Sequence, residues 1–426
     1  MSYTQNSPFI FRCLKKVEKQ LANSKDINVL LRKEYLRSRE TGIVWISFLV
    51  LDLSLYKTTQ LEILRHLAER GYRVSLFAIC SKEKMTSNSP LLHLTSIPLR
   101  YIPVITPFLF AIATVISLPF HIAKKRPKFI IVEPDLSVLV FVWKILFSSL
   151  GIKVILDIRS TPVELVNFRR YLSALWFNVS VAIGKSVFDG ITILTPGMKR
   201  EICEKFQINP KSVGVWTSGV STTVFDPEKH DGTDLRKKFS LTNKFIVMHH
   251  GSLTSDRGIL ESIMAIEIIK DKYPDIVLFV LGSGPEYSSI KKSVKEKGVQ
   301  DNIIFHDPVS YNEVSKFIAM SDVGIIPLPN LPIWRNQCPL KLLEYLAMKK
   351  VVIATDIPAN RKVLGKSKCG IYASSADPKE IADAIVYAYN NRKMLGEWGA
   401  HGRMIAEKRY SWGKVAEHLE TFLLQL

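Results

Sequence analysis

The chain has 426 residues, more than one hydrophobic core usually organises, so two domains are expected and three at most. At 47% hydrophobic and 23% charged residues it is no disordered, collagen-like or coiled-coil chain, and its five scattered cysteines (Cys13, Cys80, Cys203, Cys338, Cys369), with no C-x-x-C pair, argue against a disulfide scaffold or cysteine zinc site and fit a reducing compartment. The net charge of +19 points to an anionic partner, and it is unevenly placed: residues 1–241 hold 34 Lys and Arg against 19 Asp and Glu, whereas 242–426 hold 24 against 20.

The start, MSYTQNSPFIFRCLKK, lacks a basic region followed by a long apolar run, so no cleaved secretory leader is expected. Residues 1–42 keep only a broken apolar stripe and read as an appended arm. From Gly42, IVWISFLVL is a buried-strand run, TTQLEILRHLAERGY a helix closed by Gly71, and RVSLFAIC the next strand. This β-α-β opening calls for a right-handed crossover and a parallel sheet. Strands continue at KFIIVEP, IKVILDI, GITIL and SVGVWTSG. The alternation restarts at FIVMHHG, with a helix from Gly258 to about Lys272, and goes on through DIVLFVLGSG, NIIFHD, DVGIIPL, a helix from about Pro339 and KVVIATD. Two consecutive β/α arrays, residues 43–241 and 242–408, read as two Rossmann-like domains facing a cleft, with 409–426 as a closing helix.

Between Tyr101 and Ala123 no charge appears, and KKRPK follows. The stretch is long enough to cross a bilayer, but a helix bounded by Pro107 and Pro119 would be only about 17 Å long. Two readings stay open here: an interfacial apolar surface with basic anchors, or a buried helix covering the first sheet.

The second half holds the chemistry. HHGSLTSDRGILESI puts Gly251 at a strand end and Arg257-Gly258 at a helix start, where exposed N–H groups and a guanidinium fork suit phosphate oxygens. LGSGPE places Gly282 and Gly284 in a second crevice-lining turn, without the full G-x-G-x-x-G of nicotinamide dinucleotide sites. In NQCPLKLLEYLAMKK, Pro339 starts a helix and Glu344 lies one turn in, where a carboxylate can accept both hydroxyls of a ribose diol.

These three loops in this order resemble the donor half of a GT-B glycosyltransferase, specifically retaining glycosyltransferase family 4. The resemblance covers about residues 43–426, including TPGMKREICEKFQINPKSVGVWTSGVSTTVFDP before the interdomain linker and the closing KRYSWGKVAEHLETFLL, a helix that in the family crosses back to the first domain. Position by position, the family's Gly-Arg-Leu-x-x-x-Lys-Gly falls on Gly251 to Gly258. The resemblance implies that Arg257 holds the donor diphosphate. Ser252 stands where the family has Arg, and Lys341 is the candidate to replace that cation. The family's Glu-x7-Glu ends at Glu344, which implies ribose binding, while its first position is Asn336. Leu342 and Leu343 join Glu344, Gly251, Ser252, Gly258, Gly282, Gly284 and Asn336 as the implied donor-binding positions. The first-strand loop SFLVLDLSLYKTT lacks the family's Gly-Gly, and Asp157 beside Arg159, with Glu133 and Asp135 one strand earlier, is the candidate acceptor-orienting group or base; the alternative is a strand-end Asp paired to Arg159.

The resemblance implies transfer of a hexose, with retention, from a nucleotide diphosphate sugar, a UDP- or GDP-sugar, to a membrane-presented acceptor such as a lipid-linked glycan or polysaccharide precursor. Arg257, Lys341 and the helix start at Pro339–Leu342 would carry the leaving-group charge. No metal and no nucleic acid are expected, and the protein is placed in the cytoplasm, peripheral at the inner face of the membrane. Two alternatives stay open: a nucleotide-sugar epimerase on the same fold, and a non-catalytic nucleotide-sugar-binding subunit.

Overall fold

A computed structural model describes residues 41–50, 57–79, 91–97, 102, 105–162 and 168–426. The arm therefore lies outside the described residues up to residue 40, as does much of the altered first-strand loop.

The apolar runs of the first half are strands of one parallel sheet: β1 (Gly42–Val50), β2 (Arg73–Ile79), β3 (Leu92–Ile97), β4 (Phe129–Val132), β5 (Lys153–Ile158), β6 (Gly190–Ile193) and β7 (Val213–Val215), in the order β3-β2-β1-β4-β5-β6-β7. The second half builds another from β8 (Phe245–His250), β9 (Ile276–Leu281), β10 (Ile303–His306), β11 (Val323–Ile326), β12 (Val351–Thr355) and β13 (Gly370–Ala373), in the order β10-β9-β8-β11-β12-β13. Two edge strands, β3 and β13, were not expected from the sequence. An edge strand buries less surface than a central one, and GIYA alternates half-buried with buried positions instead of running wholly apolar.

Side chains of β1 alternate between two cores. Val44 and Ile46 face one layer, with Phe110, Leu118, Phe147 and Phe177; Ile43 and Trp45 face the other, with Leu64, Leu67, Trp412 and Leu419. Helix α1 (Lys57–Glu69) and the closing helix α5 (Trp412–Leu423) thus share one face of the first sheet. The closing helix reaches the first domain after the chain has completed the second, and its return is fixed by Glu420, whose side chain is wholly buried. Arg70 Nε donates to Glu420 Oε2 at 2.9 Å, the Arg70 fork adds a second bond, and Tyr72 Oη donates to Oε1 at 3.1 Å. Removing one partner of a buried ion pair strands the other. Glu420→Ala is therefore expected to lower the stability of the first domain by about 3–5 kcal/mol, read as a fall in its urea midpoint, with a smaller loss for Glu420→Gln.

The opposite face of the first sheet is covered by α2 (Ile105–Lys125), the short helices Ser137–Phe141 and Lys144–Ser149, and α3 (Phe168–Ser186). The expected helix bounded by two prolines is corrected here. It spans 21 residues with Pro119 inside, about 31 Å. Pro107 falls in the first turn, where its missing N–H is not needed, and a buried stripe of Thr106, Phe110, Thr114, Leu118 and Ile122 carries the helix through Pro119. One face is core, as the buried reading required; the other is exposed.

Candidate donor site in the second domain

In the second sheet, β8 lies between β9 and β11, so the strand order reverses there and a crevice opens at the carboxyl ends of the strands. The turn after β8 holds Gly251 to Gly258 and the turn after β9 holds Gly282 and Gly284. The loop after β11 leads into helix α4 (Leu340–Ala347), with Pro339 at its N-cap. These turns touch. The Gly251 N–H donates to the Leu281 carbonyl at 2.9 Å and the Leu253 N–H to the Ser283 carbonyl at 3.0 Å. A Cβ on Gly282 would sit 2.0 Å from the Gly251 oxygen, and one on Gly251 would sit 3.5 Å from Lys341 Nζ. The lysine therefore lies directly over the first glycine turn.

Arg257 stands near the end of the same turn. Its Nε donates to Thr254 Oγ1 at 3.1 Å and its guanidinium stacks on Trp334, 4.9 Å from the ring centroid. Trp334 is fixed in turn by donating to the Asp256 carbonyl at 2.8 Å. Among the described residues no carboxylate forms an ion pair with Arg257 or Lys341. Burial first, and then the Arg257 charge, lower Lys341 to about 7, with Glu344 opposing. Burial raises Glu344 to about 7, with Lys341 opposing. Two basic side chains, offset only by the Glu344 carboxyl near Lys341, meet at a glycine-floored crevice and a helix N-terminus, an arrangement suited to a phosphate group.

Glu344 Oε2 lies 3.3 Å from His250 Nε2. The contact is not an ion pair: His250 Nε2 makes no aligned hydrogen bond, and burial together with Lys341 lowers the imidazole to about 3, so it is neutral. His250 also packs edge-on against Tyr345, whose hydroxyl donates to the Met248 carbonyl at 2.7 Å. Neither His250 nor Trp334 was singled out from the sequence; a histidine at a strand end and a tryptophan in a loop carry no local pattern that reveals their partners.

The other positions separate into those at the crevice and those turned from it. Gly258 caps helix Ile259–Ile269 with φ 71°, beside Arg257. Ser252 is half-buried in the first turn. The Leu342 and Leu343 side chains are wholly buried in the core, so only their backbone belongs to the helix start. Asn336 faces the first domain: its Nδ2 donates to Glu201 Oε2 at 2.8 Å and its carbonyl accepts from Thr195 Oγ1 at 2.6 Å, which ties the loop to that domain. Asp157 is 1% exposed and its Oδ1 accepts from Thr192 Oγ1 at 2.7 Å and Trp216 Nε1 at 2.9 Å. It is thus neither open to an acceptor nor directly paired with Arg159, which stacks on the Trp216 ring at 3.5 Å and donates to the Trp216 carbonyl. One strand earlier, Glu133 is half-buried, raised to about 7 chiefly by burial and held by Ser47 Oγ at 2.7 Å and Gln60 Nε2 at 3.3 Å, while Asp135 is exposed. A separate concavity of about 630 Å³ beside Arg361, Lys368, Tyr387 and Trp398 shares no lining residue with the three turns.

Residues 57–224 match the family Glycosyltransferase Family 4, and residues 231–404 match Glycosyl transferases group 1. The chain carries the paired domains of a GT-B glycosyltransferase. Among curated relatives, a GDP-mannose-dependent alpha-(1-6)-phosphatidylinositol monomannoside mannosyltransferase of Mycobacterium tuberculosis is 25% identical over 207 residues, 48% of this chain and 54% of the relative. The match thus spans about half the length of that relative. In fold, a glycosyltransferase of Rickettsia africae ESF-5 superimposes with a TM-score of 0.70 at 15% identity, covering 90% of this chain and 98% of that one. HepE of Anabaena, solved in complex with UDP, gives 0.67 at 12% identity over 91% and 100%.

If the Lys341–Glu344 pair serves the donor, its affinity depends on pH in both directions. Raising the pH through the lysine pKa removes the ammonium that faces the diphosphate, and lowering it through the carboxyl pKa protonates the group that accepts the ribose hydroxyls. Donor affinity is expected to peak near pH 7 and to fall by up to about tenfold per pH unit on each side, both limbs belonging to the coupled pair. In Lys341→Arg the alkaline limb should vanish, because the guanidinium stays charged. Titration calorimetry across pH reads both.

Proposed function

We propose that the protein is a retaining hexosyltransferase that moves a hexose from a nucleotide diphosphate sugar, a UDP- or GDP-sugar, to an acceptor presented at a membrane, either a lipid-linked glycan or a cell-surface polysaccharide precursor. The observation that carries this reading is the meeting of Arg257 and Lys341, neither held in an ion pair among the described residues, at the Gly251 turn and the start of α4. Negative charge grows on the diphosphate as the sugar departs, so these groups stabilise the transition state more than the bound donor. Glu344, one turn into α4, is assigned the ribose diol. Closure of the domains would exclude water and spare the donor from hydrolysis. The GDP-mannose dependence and the lipid acceptor named for the mycobacterial relative support a nucleotide sugar and a membrane-borne acceptor. The cytoplasmic face of the membrane, where a reducing compartment meets an anionic surface, is the proposed location.

A thermal-shift series with UDP- and GDP-sugars tests the donor site. A donor at a hundred times its Kd stabilises the native protein by about 2.7 kcal/mol. The wild type is expected to respond to one class of nucleotide sugar, and Arg257→Ala and Glu344→Ala to lose that response. If none stabilises the wild type, or both variants respond as it does, the donor site is wrongly assigned. The hold of Glu201 on Asn336 favours one second reading, a subunit that binds the nucleotide sugar without turnover. A donor response without glycosyl transfer to any lipid-linked acceptor would establish it.

A further inference from the structure

The helices covering the outer face of the first sheet present an apolar surface that the donor site does not explain. Of the twenty-three large apolar side chains exposed among the described residues, seventeen lie between Ile102 and Val179. On α2 the exposed stripe includes Phe108 at 67%, Ile116 at 61% and Phe120 at 74%; Ile145 at 87% follows on the helix Lys144–Ser149, and Leu172 and Trp176 on α3. The layer is continuous, since α2 packs on Ser137–Phe141 and that helix packs on α3. Trp176 Nε1 and Ser180 Oγ anchor α3 by donating to the carbonyls of Asp135 and Pro134 just past β4. Seventeen such side chains expose on the order of 1,000 Å² or more, beyond the 300–600 Å² of the largest patch on an ordinary monomer.

We infer that this four-helix layer is a docking surface for an anionic lipid bilayer, entered by the side chains and not crossed by a helix. Although α2 is long and apolar enough to span, its inner stripe is bound along the sheet from Thr106 to Ile122, so it lies in the plane of the surface. Charge decides between a bilayer and a second copy of the chain. None of the four helices in the layer contains Asp or Glu, while Lys124, Arg126 and Lys128 are exposed at the end of α2. Basic rims suit anionic headgroups around inserted apolar groups, and two copies face to face would bring like charges together. Tyr171 and Trp176 supply the amphipathic rings that sit at the headgroup level. The inference deepens the membrane-presented acceptor of the proposed function and rests on that reading only for what the bilayer carries.

Vesicle flotation of the full chain tests it, with phosphatidylcholine vesicles and phosphatidylcholine–phosphatidylglycerol vesicles run beside the donor thermal shift. The wild type is expected to float with the anionic vesicles. Phe108→Glu/Phe120→Glu/Ile145→Glu, changed only at exposed positions, should bind them more than about tenfold less while keeping the donor response. A wild type that responds to donors but stays unbound, or a triple variant that floats as the wild type does, overturns the docking surface and leaves the donor site standing. Flotation without any donor response does the reverse. Sedimentation showing a wild-type dimer that the triple variant abolishes, with neither protein floating, assigns the face to self-association and overturns the inference.

Discussion

Lys341→Met will lose most of its transfer activity while the empty protein stays at least as resistant to unfolding as the wild type. Without donor, Lys341 is a largely buried cation facing Arg257, and its depressed pKa measures how poorly the fold solvates that charge. Replacing it with an apolar chain of similar length relieves that cost, and Glu344, already raised to about 7 by burial, can then stay protonated and neutral, so stability should hold or rise. On the proposed donor assignment, the same ammonium meets the charge that grows on the diphosphate. Loss of one such group costs about 10²–10³-fold in turnover. Arg257→Ala should cost as much, and the double variant less than the product of the two, because both groups serve one developing charge. Steady-state kinetics beside urea unfolding separates the readouts. A Lys341→Met protein less stable than the wild type would mean that the lysine is a structural group.

The second large effect belongs to Gly258→Ala. The position has φ 71°, and a Cβ would lie 1.8 Å from the Pro327 oxygen, a backbone atom that cannot swing aside. The left-handed conformation costs an ordinary residue about 1–2 kcal/mol and overpacking adds about 1–3 kcal/mol. Since Arg257 precedes this residue and helix Ile259–Ile269 follows it, relief of the clash must move the turn that carries Arg257. The expected outcome is a loss of about 2–5 kcal/mol together with the donor response. Gly365→Ala is the control: its φ 58° and ψ −131° disfavour a side chain at about 1–3 kcal/mol, but nothing lies within 4 Å of the added carbon and the residue is far from the three turns in sequence, so it should leave donor binding intact.

The central strands were legible because a parallel strand covered on both faces is a continuous apolar run, as in IVWISFLVL and FIVMHHG. The edges β3 and β13 were not, since half-exposed positions interrupt the pattern that marks a strand. Prolines misled at α2, where contact of Phe110, Leu118 and Ile122 with the sheet outweighs the backbone penalty of Pro119. Gly251, Arg257, Gly282 and Glu344 could be read from sequence because each stands at a fixed offset from the end of a strand or the start of a helix. Partner choice could not. Asn336 reaches Glu201 across 135 positions, and Asp157 lies beneath Trp216, 59 positions away. The first distance closes only when the two domains meet, the second only when the first sheet assembles.

The most direct measurement is a crystal structure with the nucleotide sugar that gives the largest thermal shift. The diphosphate is predicted within hydrogen-bond distance of Arg257 and Lys341, over the Gly251 turn, with the ribose hydroxyls on Glu344. A nucleotide bound elsewhere, such as the concavity beside Arg361 and Trp398, with the three turns empty, would contradict the account.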